Sequence, residues 1–551
     1  MEGESYKSPP FKQYKPVTFK SIANEMKKHL CLTALLTFSI FAIKAQSPGP
    51  IDVQHYRFSI QLNDQNDEIK GQAEIKVNFL KSDAAFTLDL INKDANGIGM
   101  TVLSVKENNQ LLKFRQDSSK VWITPKTKTA GIHTFIISYA GTPSNGLVIA
   151  KNMYGKRTFF GDNWPNRAKY WLPCNDHPSD KAPVEFIVTA PDHYQVIANG
   201  LKIKESALPN HLKITHWREE VSLPTKVMVI GVADFAIEQA GTVKGVPVYS
   251  YVYPENKERG FKDYAYALKI IPFYDKKIGA FPYKKLANVQ SKTMFGGMEN
   301  ASAIFYSESS VGQPGVESLF AHEIAHQYFG DAVTENNWKH VWLSEGFATY
   351  MTNAYTEYTY GTDALKNVMG QQREKIFAFE KRRLTPVIDS AVTDNFMQLL
   401  NANSYEKGAW TLHMLRRKIG DNAFWKGIQN YYKTYSGGNA STENLQAMME
   451  KASGKELKVF FNQWLRRAGH PLLLVKWQYD ETAKTLKIQV DQKQALTYNF
   501  LLEFAVNGQM QNIAIEQKTT TLNIPMGMKP TSFKLDPDMN LLAAFEINQP
   551  K

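Results

Sequence analysis

The stretch FAHEIAHQYFG, residues 320–330, decides the reading of this chain. On an α-helix, residues four apart lie one turn apart on one face, so His322 and His326 can aim both imidazoles at one ion. Glu323 is set off to the side, where it can stand near a metal without ligating it and take a proton from water. The alternative is a solvated helix carrying two satisfied histidines. Ala325, Tyr328 and Phe329 argue against it, because apolar neighbours mark a buried helix and buried histidines beside a glutamate need a compensating partner. A catalytic zinc takes three protein ligands and keeps one position open. WLSEGFATY, residues 342–350, supplies the third in Glu345, with eighteen residues between it and His326. That gap lets one helix end, the chain turn, and a second helix return. Two histidines and one glutamate form a hydrolytic zinc set, and zinc lowers the pKa of its water and polarises a carbonyl, as peptide hydrolysis requires.

On either side of this helical region the apolar period is two. Ala73, Ile75, Val77 and Phe79 alternate with Gln72, Glu74, Lys76 and Asn78, which gives a strand with one buried and one wet face. FTLDLI, HTFIISYA and VEFIVTAP repeat the signal between turn residues. Residues 46–242 are therefore expected to form a large, mostly antiparallel β domain. Residues 243–470 are expected to form a mostly helical, thermolysin-like catalytic domain. It includes FKDYAYALKIIPFYDKKIG, SYEKGAWTLHMLRRKIG, and STENLQAMMEKASG with its Ser/Thr start and Gly stop. Period two returns after Pro471, so residues 471–551 are expected to form a small β-sandwich. The fold class is thus multidomain α+β.

At 551 residues the chain is too long for one core. Its 43% hydrophobic and 21% charged content is that of a folded protein. The net charge of +12 is scattered in short runs such as Lys381-Arg382-Arg383. A nucleic-acid groove needs a basic patch, so no nucleic-acid partner is expected. MKKHLCLTALLTFSIFAIKAQ, from Met26, has a basic start, a fourteen-residue apolar run from Leu30 to Ile43, and Ala45 before Gln46. It reads as a secretory signal over residues 26–45, predicting export to the periplasm or outside the cell. The apolar run is shorter than the roughly 20 residues that span a bilayer, so no stable membrane insertion is expected once it is removed. A retained N-terminal anchor is the minor alternative. Residues 1–25 are a polar extension set aside from the fold. Cleavage removes seven lysines and three glutamates, lowering the charge to +8. It also removes Cys31, leaving Cys174 with no internal disulfide partner.

The motifs together resemble the zinc aminopeptidase family, gluzincins that include aminopeptidase N and leukotriene hydrolase. The resemblance rests on GGMEN at 296–300, HEIAHQYFG at 322–330, WLSEGFATY at 342–350, YEKG at 405–408 and LPCNDHPSDKA at 172–182. It runs from about residue 50 to the end, and implies one Zn2+ held by His322, His326 and Glu345, with Glu323 as general base. It implies that Glu299 grips the free α-amine of a peptide substrate and that Gly296, Gly297 and Met298 line its extended backbone. It also implies that Tyr405 donates to the oxyanion. These roles make chemical sense: a carboxylate recognises a cationic amine, paired glycines permit close backbone approach, and a phenol donor favours the tetrahedral state.

Two departures stand out. Where many relatives carry a Gln or Glu that helps hold the amine, this chain has Trp164, with Asp162 and Asn163 beside it as alternative polar groups. Longer relatives end in a helical domain that caps the cleft, which the chain is expected to lack after its β-sandwich. The expected activity is zinc-dependent aminopeptidase hydrolysis of peptides with a free N-terminus. A zinc endopeptidase with a more open cleft is the alternative, and a non-catalytic binding protein on the same scaffold is the lesser one. Epoxide hydrolysis, known in one branch of the family, has no distinctive support. Neither the first side-chain pocket nor the oligomeric state is specified by these residues.

Overall fold

The alternating stretch Ile69–Phe79 is a central strand, with Ile69, Ala73, Ile75, Val77 and Phe79 buried and Lys70, Gln72 and Lys76 exposed. The computed structural model describes residues 51–81, 85–126 and 129–548. The leader at 26–45 and the extension before it lie outside the described residues. Ile69–Phe79 pairs antiparallel with Ile51–Gln61 and with Gly131–Thr142. The full sheet has eight strands, running from Leu201–Leu208 at one edge to Gln110–Leu111 at the other.

One pairing is the exception in a mostly antiparallel sheet. Ile51–Gln61 runs parallel to Lys181–Pro191, with Phe58 opposite Phe186. These strands are separated by more than a hundred residues, so no hairpin turn dictates their direction. The first domain is therefore mixed, although its other pairings in this sheet are antiparallel. A four-stranded sheet, ordered Gln195–Ala198, Ile230–Ala233, Arg157–Gly161 and Leu147–Lys151, completes its core.

A five-stranded sheet follows, ordered Ala236–Val243, Val246–Val252, Leu286–Ser291, Ala303–Ser307 and Gly297–Met298. The hairpin formed by its first two strands spans residue 242. The middle three strands are parallel, and Leu286–Ser291 is buried at every residue, as expected of a strand covered on both faces. Gly297–Met298 is the edge strand and pairs antiparallel with Phe305 and Tyr306.

Helices dominate from Val316 to Leu465. Thr442–Ser453 starts where Ser441 and Asn444 form a reciprocal capping box, and stops at Gly454 with φ 67°. The C-terminal part is a sandwich of a four-stranded and a three-stranded sheet, joined across the core by Trp477 against Phe533, with ring centroids 5.7 Å apart. Two buried lysines fasten the first β domain to the helical region. Lys181 Nζ donates to the carbonyls of Asp331, Ala332 and Gly438, and Lys226 Nζ donates to Glu335 Oε1 at 2.6 Å. Among the described residues, no helix is long and apolar enough to cross a membrane.

Candidate metal centre

Helix Val316–His326 is anchored by Phe320, whose ring stacks on Tyr306 of the sheet beneath at 4.1 Å. That anchor turns His322 and His326 towards the cleft, with their Nε2 atoms 3.1 Å apart. The chain then turns through Tyr328–Asp331 and returns as helix Trp342–Tyr360, whose first turn carries Glu345. Glu345 Oε2 lies 3.5 Å from His322 Nε2 and 3.2 Å from His326 Nε2.

Donors bonded at about 2.0–2.1 Å to one tetrahedral ion stand about 3.3 Å apart, and the three observed separations bracket that spacing. Glu345 Oε2 is also buried, with the two imidazole nitrogens as its near neighbours, a convergence of three donor atoms that a cation completes. His326 Nδ1 faces the Phe329 carbonyl at 3.3 Å and Ser344 Oγ at 3.0 Å. These contacts fix the ring and leave Nε2 for the cleft. The residues present thus fit a zinc ion.

The electrostatics agree. Burial pushes the His326 imidazole down, but Glu345 and Glu299 override it and raise its pKa to about 10. Burial pushes the Glu345 carboxyl up, and the two imidazoles override that and hold it well below the usual range. His322, for which burial wins, is lowered. The cluster therefore concentrates negative potential on its donors, which favours exchange of a proton for a divalent cation.

Glu323 is on the same helix but outside this triad, and only 4% exposed. Burial first, then Glu299 and Glu345, push its carboxyl well above the ordinary range, against the opposing pull of His326. It lies directly over Gly297, where a Cβ would fall 2.4 Å from Glu323 Oε1. A side chain at this position would displace the carboxylate. Glu299 is likewise buried, and its Oε1 has no donor. It forms a second possible donor cluster with Glu323 and His326. The first triad has two imidazoles and separations that match a tetrahedral ion, which leaves Glu299 and Glu323 free for other work.

Tyr405 lies on a π-turn, Asn403–Lys407, that leads into helix Gly408–Ile419. The SYEKG stretch is thus wound more widely than the uniform α-helix its sequence predicts, and such insertions re-aim a side chain. The Tyr405 ring stacks on His322, with centroids 5.9 Å apart and planes at 11°. Burial, then Glu345, Glu299 and Glu323, push its hydroxyl well above the usual range, so it remains a proton donor. A Cβ on Gly346 would sit 2.9 Å from Gly408 Cα. The helix bearing Glu345 and the segment bearing Tyr405 therefore touch backbone to backbone.

His322, Glu323, His326, Glu345, Tyr405, Gly296, Gly297, Met298 and Glu299 all line one cleft of ≈ 270 Å³. Trp164, Phe295, Leu319 and Leu400 complete it. Of these four, only Trp164 drew notice in the sequence. Gln327 was also missed. Its Oε1 accepts from Ser302 N at 2.7 Å, while its Nε2 donates to the Glu299 carbonyl at 2.7 Å and to Asp331 Oδ2 at 3.0 Å. It ties the GGMEN loop to the histidine helix, and its sole sequence signal is a polar residue directly after His326.

With this geometry in view, the family profile for the peptidase M1 N-terminal domain matches residues 52–227, and that for the peptidase family M1 domain matches residues 263–464. A probable aminopeptidase 2 of Sulfurisphaera tokodaii is 27% identical over 512 residues, covering 88% of this chain and 63% of that protein. A leucyl aminopeptidase of Saccharolobus solfataricus is 25% identical, covering 86% and 61%. The chain thus spans about three-fifths of the length of these relatives. A crystal structure of Legionella pneumophila aminopeptidase A with aspartic acid shares the fold, with a TM-score of 0.78 at 16% identity over 91% of this chain and 60% of that one.

Proposed function

We propose that this chain, which belongs to peptidase family M1, is a zinc-dependent aminopeptidase that releases the first residue of peptides with a free N-terminus. The observation that carries the reading is that one cleft holds both the convergence of Glu345 Oε2 with the two imidazoles and, beside it, a buried Glu299 Oε1 with no hydrogen-bond partner. Two different cations are thereby invited, a metal and an ammonium.

In this proposal His322, His326 and Glu345 hold the zinc, which supplies Lewis acidity towards the scissile carbonyl and towards water. Glu299 pairs with the substrate α-ammonium, a charge-assisted contact strong enough to select for a free terminus. The edge strand Gly297–Met298 has no strand paired on its second side, where an extended substrate would add through main-chain hydrogen bonds. Glu323 accepts a proton from the water that attacks the carbonyl carbon. It delivers that proton to the leaving nitrogen as the C–N bond breaks. Tyr405 donates to the oxyanion, a contact strongest in the tetrahedral state. Export to the periplasm or the exterior belongs to the same proposal and rests on the leader-like residues 26–45.

Matched peptides with free and acetylated N-termini test this reading. The zinc-loaded protein is expected to cleave the free form and to lose most activity on the acetylated one. Equal cleavage of both would replace the aminopeptidase with the endopeptidase reading.

A further inference from the structure

We propose that the cleft selects peptides whose first residue is apolar and turns away those whose first residue is acidic, and that Trp164 is the residue that sets this preference. The inference rests on the aminopeptidase reading and names the substrate class of the same site.

A substrate's first side chain branches from the carbon between its amine and its scissile carbonyl. With the amine at Glu299 and the carbonyl beside the His322, His326 and Glu345 set, that side chain must lie within the ≈ 270 Å³ cleft or at its mouth. Whichever way it turns, the remaining walls are Trp164, Phe295, Met298, Leu319 and Leu400, with glycines at Gly296 and Gly297. Among the described residues, no lysine or arginine lines the cleft.

The cations nearest to these walls are committed elsewhere. Arg167 pairs with Asp162 and donates to the Trp164 carbonyl, and its guanidinium lies over the Phe295 ring at 5.8 Å. Lys226 is buried against Glu335 and over the Trp338 ring. The polar neighbours of Trp164 are equally engaged. Asp162 Oδ2 accepts from Thr293 Oγ1 and Met294 N, at 3.2 Å each. Asn163 donates to the carbonyls of Thr225 and Met228 and accepts from Trp171 Nε1. Neither lines the cleft. From this segment, only the indole reaches it, 2% exposed and braced edge-on by Trp338 and Phe295.

An Asp or Glu side chain entering here would give up its water to apolar walls that offer it no cation of their own, because the zinc is held by Glu345 and the imidazoles and the substrate's ammonium by Glu299, and burying an unpaired charge is strongly unfavourable. An apolar side chain instead displaces water from aromatic and aliphatic walls, where each methylene is worth about a tenfold or greater discrimination.

The test uses the full zinc-loaded protein with a panel of aminoacyl coumarin amides carrying Leu, Met, Phe, Ala, Asp or Glu, together with N-acetyl-Leu. Expected kcat/KM values for Leu, Met and Phe exceed those for Asp and Glu by about 100-fold or more. Asp or Glu turned over within a few-fold of Leu, with N-acetyl-Leu inert, would overturn this inference and leave the aminopeptidase reading standing. N-acetyl-Leu cleaved as well as Leu would overturn both. Trp164→Gln should shrink the Leu-to-Asp ratio by at least about tenfold, and an unchanged ratio would remove Trp164 from the role. Because Trp164 is buried, Trp164→Phe provides a milder second variant. Shortening the wall should raise Phe relative to Leu while preserving the bias against Asp, and an unaltered Phe-to-Leu ratio would likewise refute the assignment.

Discussion

Replacing Gly297 with alanine isolates the position of one carboxylate. The added Cβ would stand 2.4 Å from Glu323 Oε1, 2.5 Å from Cδ and 2.6 Å from Cγ. Ordinary contact requires the carboxylate to retreat by about 1 Å. Gly297 is not among the glycines with positive φ, so its backbone accepts alanine, and lower unfolded-state entropy offsets about 0.4–1 kcal/mol of the contact strain. The three residues proposed to hold zinc are untouched. A misplacement of about 1 Å in a reacting group costs about 100-fold in rate, so kcat should fall by about that factor. Zinc content should remain at one per chain, and Tm should move by no more than about 3 °C. Gly296→Ala is the internal control. Its Cβ would meet only Leu319 Cδ1, at 3.9 Å, and kcat should stay within about threefold of the parent. The measurements are steady-state kinetics on a leucyl amide, metal analysis and a thermal melt. Wild-type kcat in a zinc-loaded Gly297→Ala protein, or equal losses in both variants, would refute the reasoning.

Other consequences are accessible to the same preparations. Tyr405→Phe should lower kcat by about 100- to 1000-fold with KM little changed; a change confined to KM, read from steady-state kinetics, would contradict transition-state donation. Lys407 Nζ is fully buried and donates to Glu380 Oε1 at 2.6 Å and to the Gly469 carbonyl at 2.7 Å. Lys407→Met should therefore cost about 3–5 kcal/mol in denaturant unfolding, with partial recovery on adding Glu380→Gln. His340 and His413 are each lowered to about 4, chiefly by burial. The unfolded chain takes up their protons near pH 6.5 while the folded chain does not until about pH 4. Stability should thus fall as pH drops through that window, by on the order of 3 kcal/mol per histidine. Urea midpoints at pH 7, 5.5 and 4.5 should show the loss, and the His340→Gln/His413→Gln variant should flatten it.

Residues close along the chain announced their own geometry. Helix pitch alone puts His322 and His326 on one face, and the two-residue period alone puts Ala73, Ile75 and Val77 on one side of a strand. The eighteen-residue gap to Glu345 is short enough that few paths exist between the two helices. Family resemblance then brought Glu299 and Tyr405 to attention, which no local period would have done.

What remained hidden depends on segments that meet only in the folded chain. The parallel pairing of Ile51–Gln61 with Lys181–Pro191 follows from a long excursion and not from any turn. The π-turn at Asn403–Lys407 accompanies the close packing of Gly408 against Gly346, a contact across 62 positions. The cleft wall gathers Trp164, Phe295, Leu319 and Leu400 from four separate segments. Trp164 stood out only against the family pattern, and no local period marks Phe295, Leu319 or Leu400 as wall rather than ordinary core. Hydrogen-bond period and helix pitch act over a few residues and are written in the sequence. The shape of a cavity is a sum over distant side chains, and it exists only once packing has brought them together.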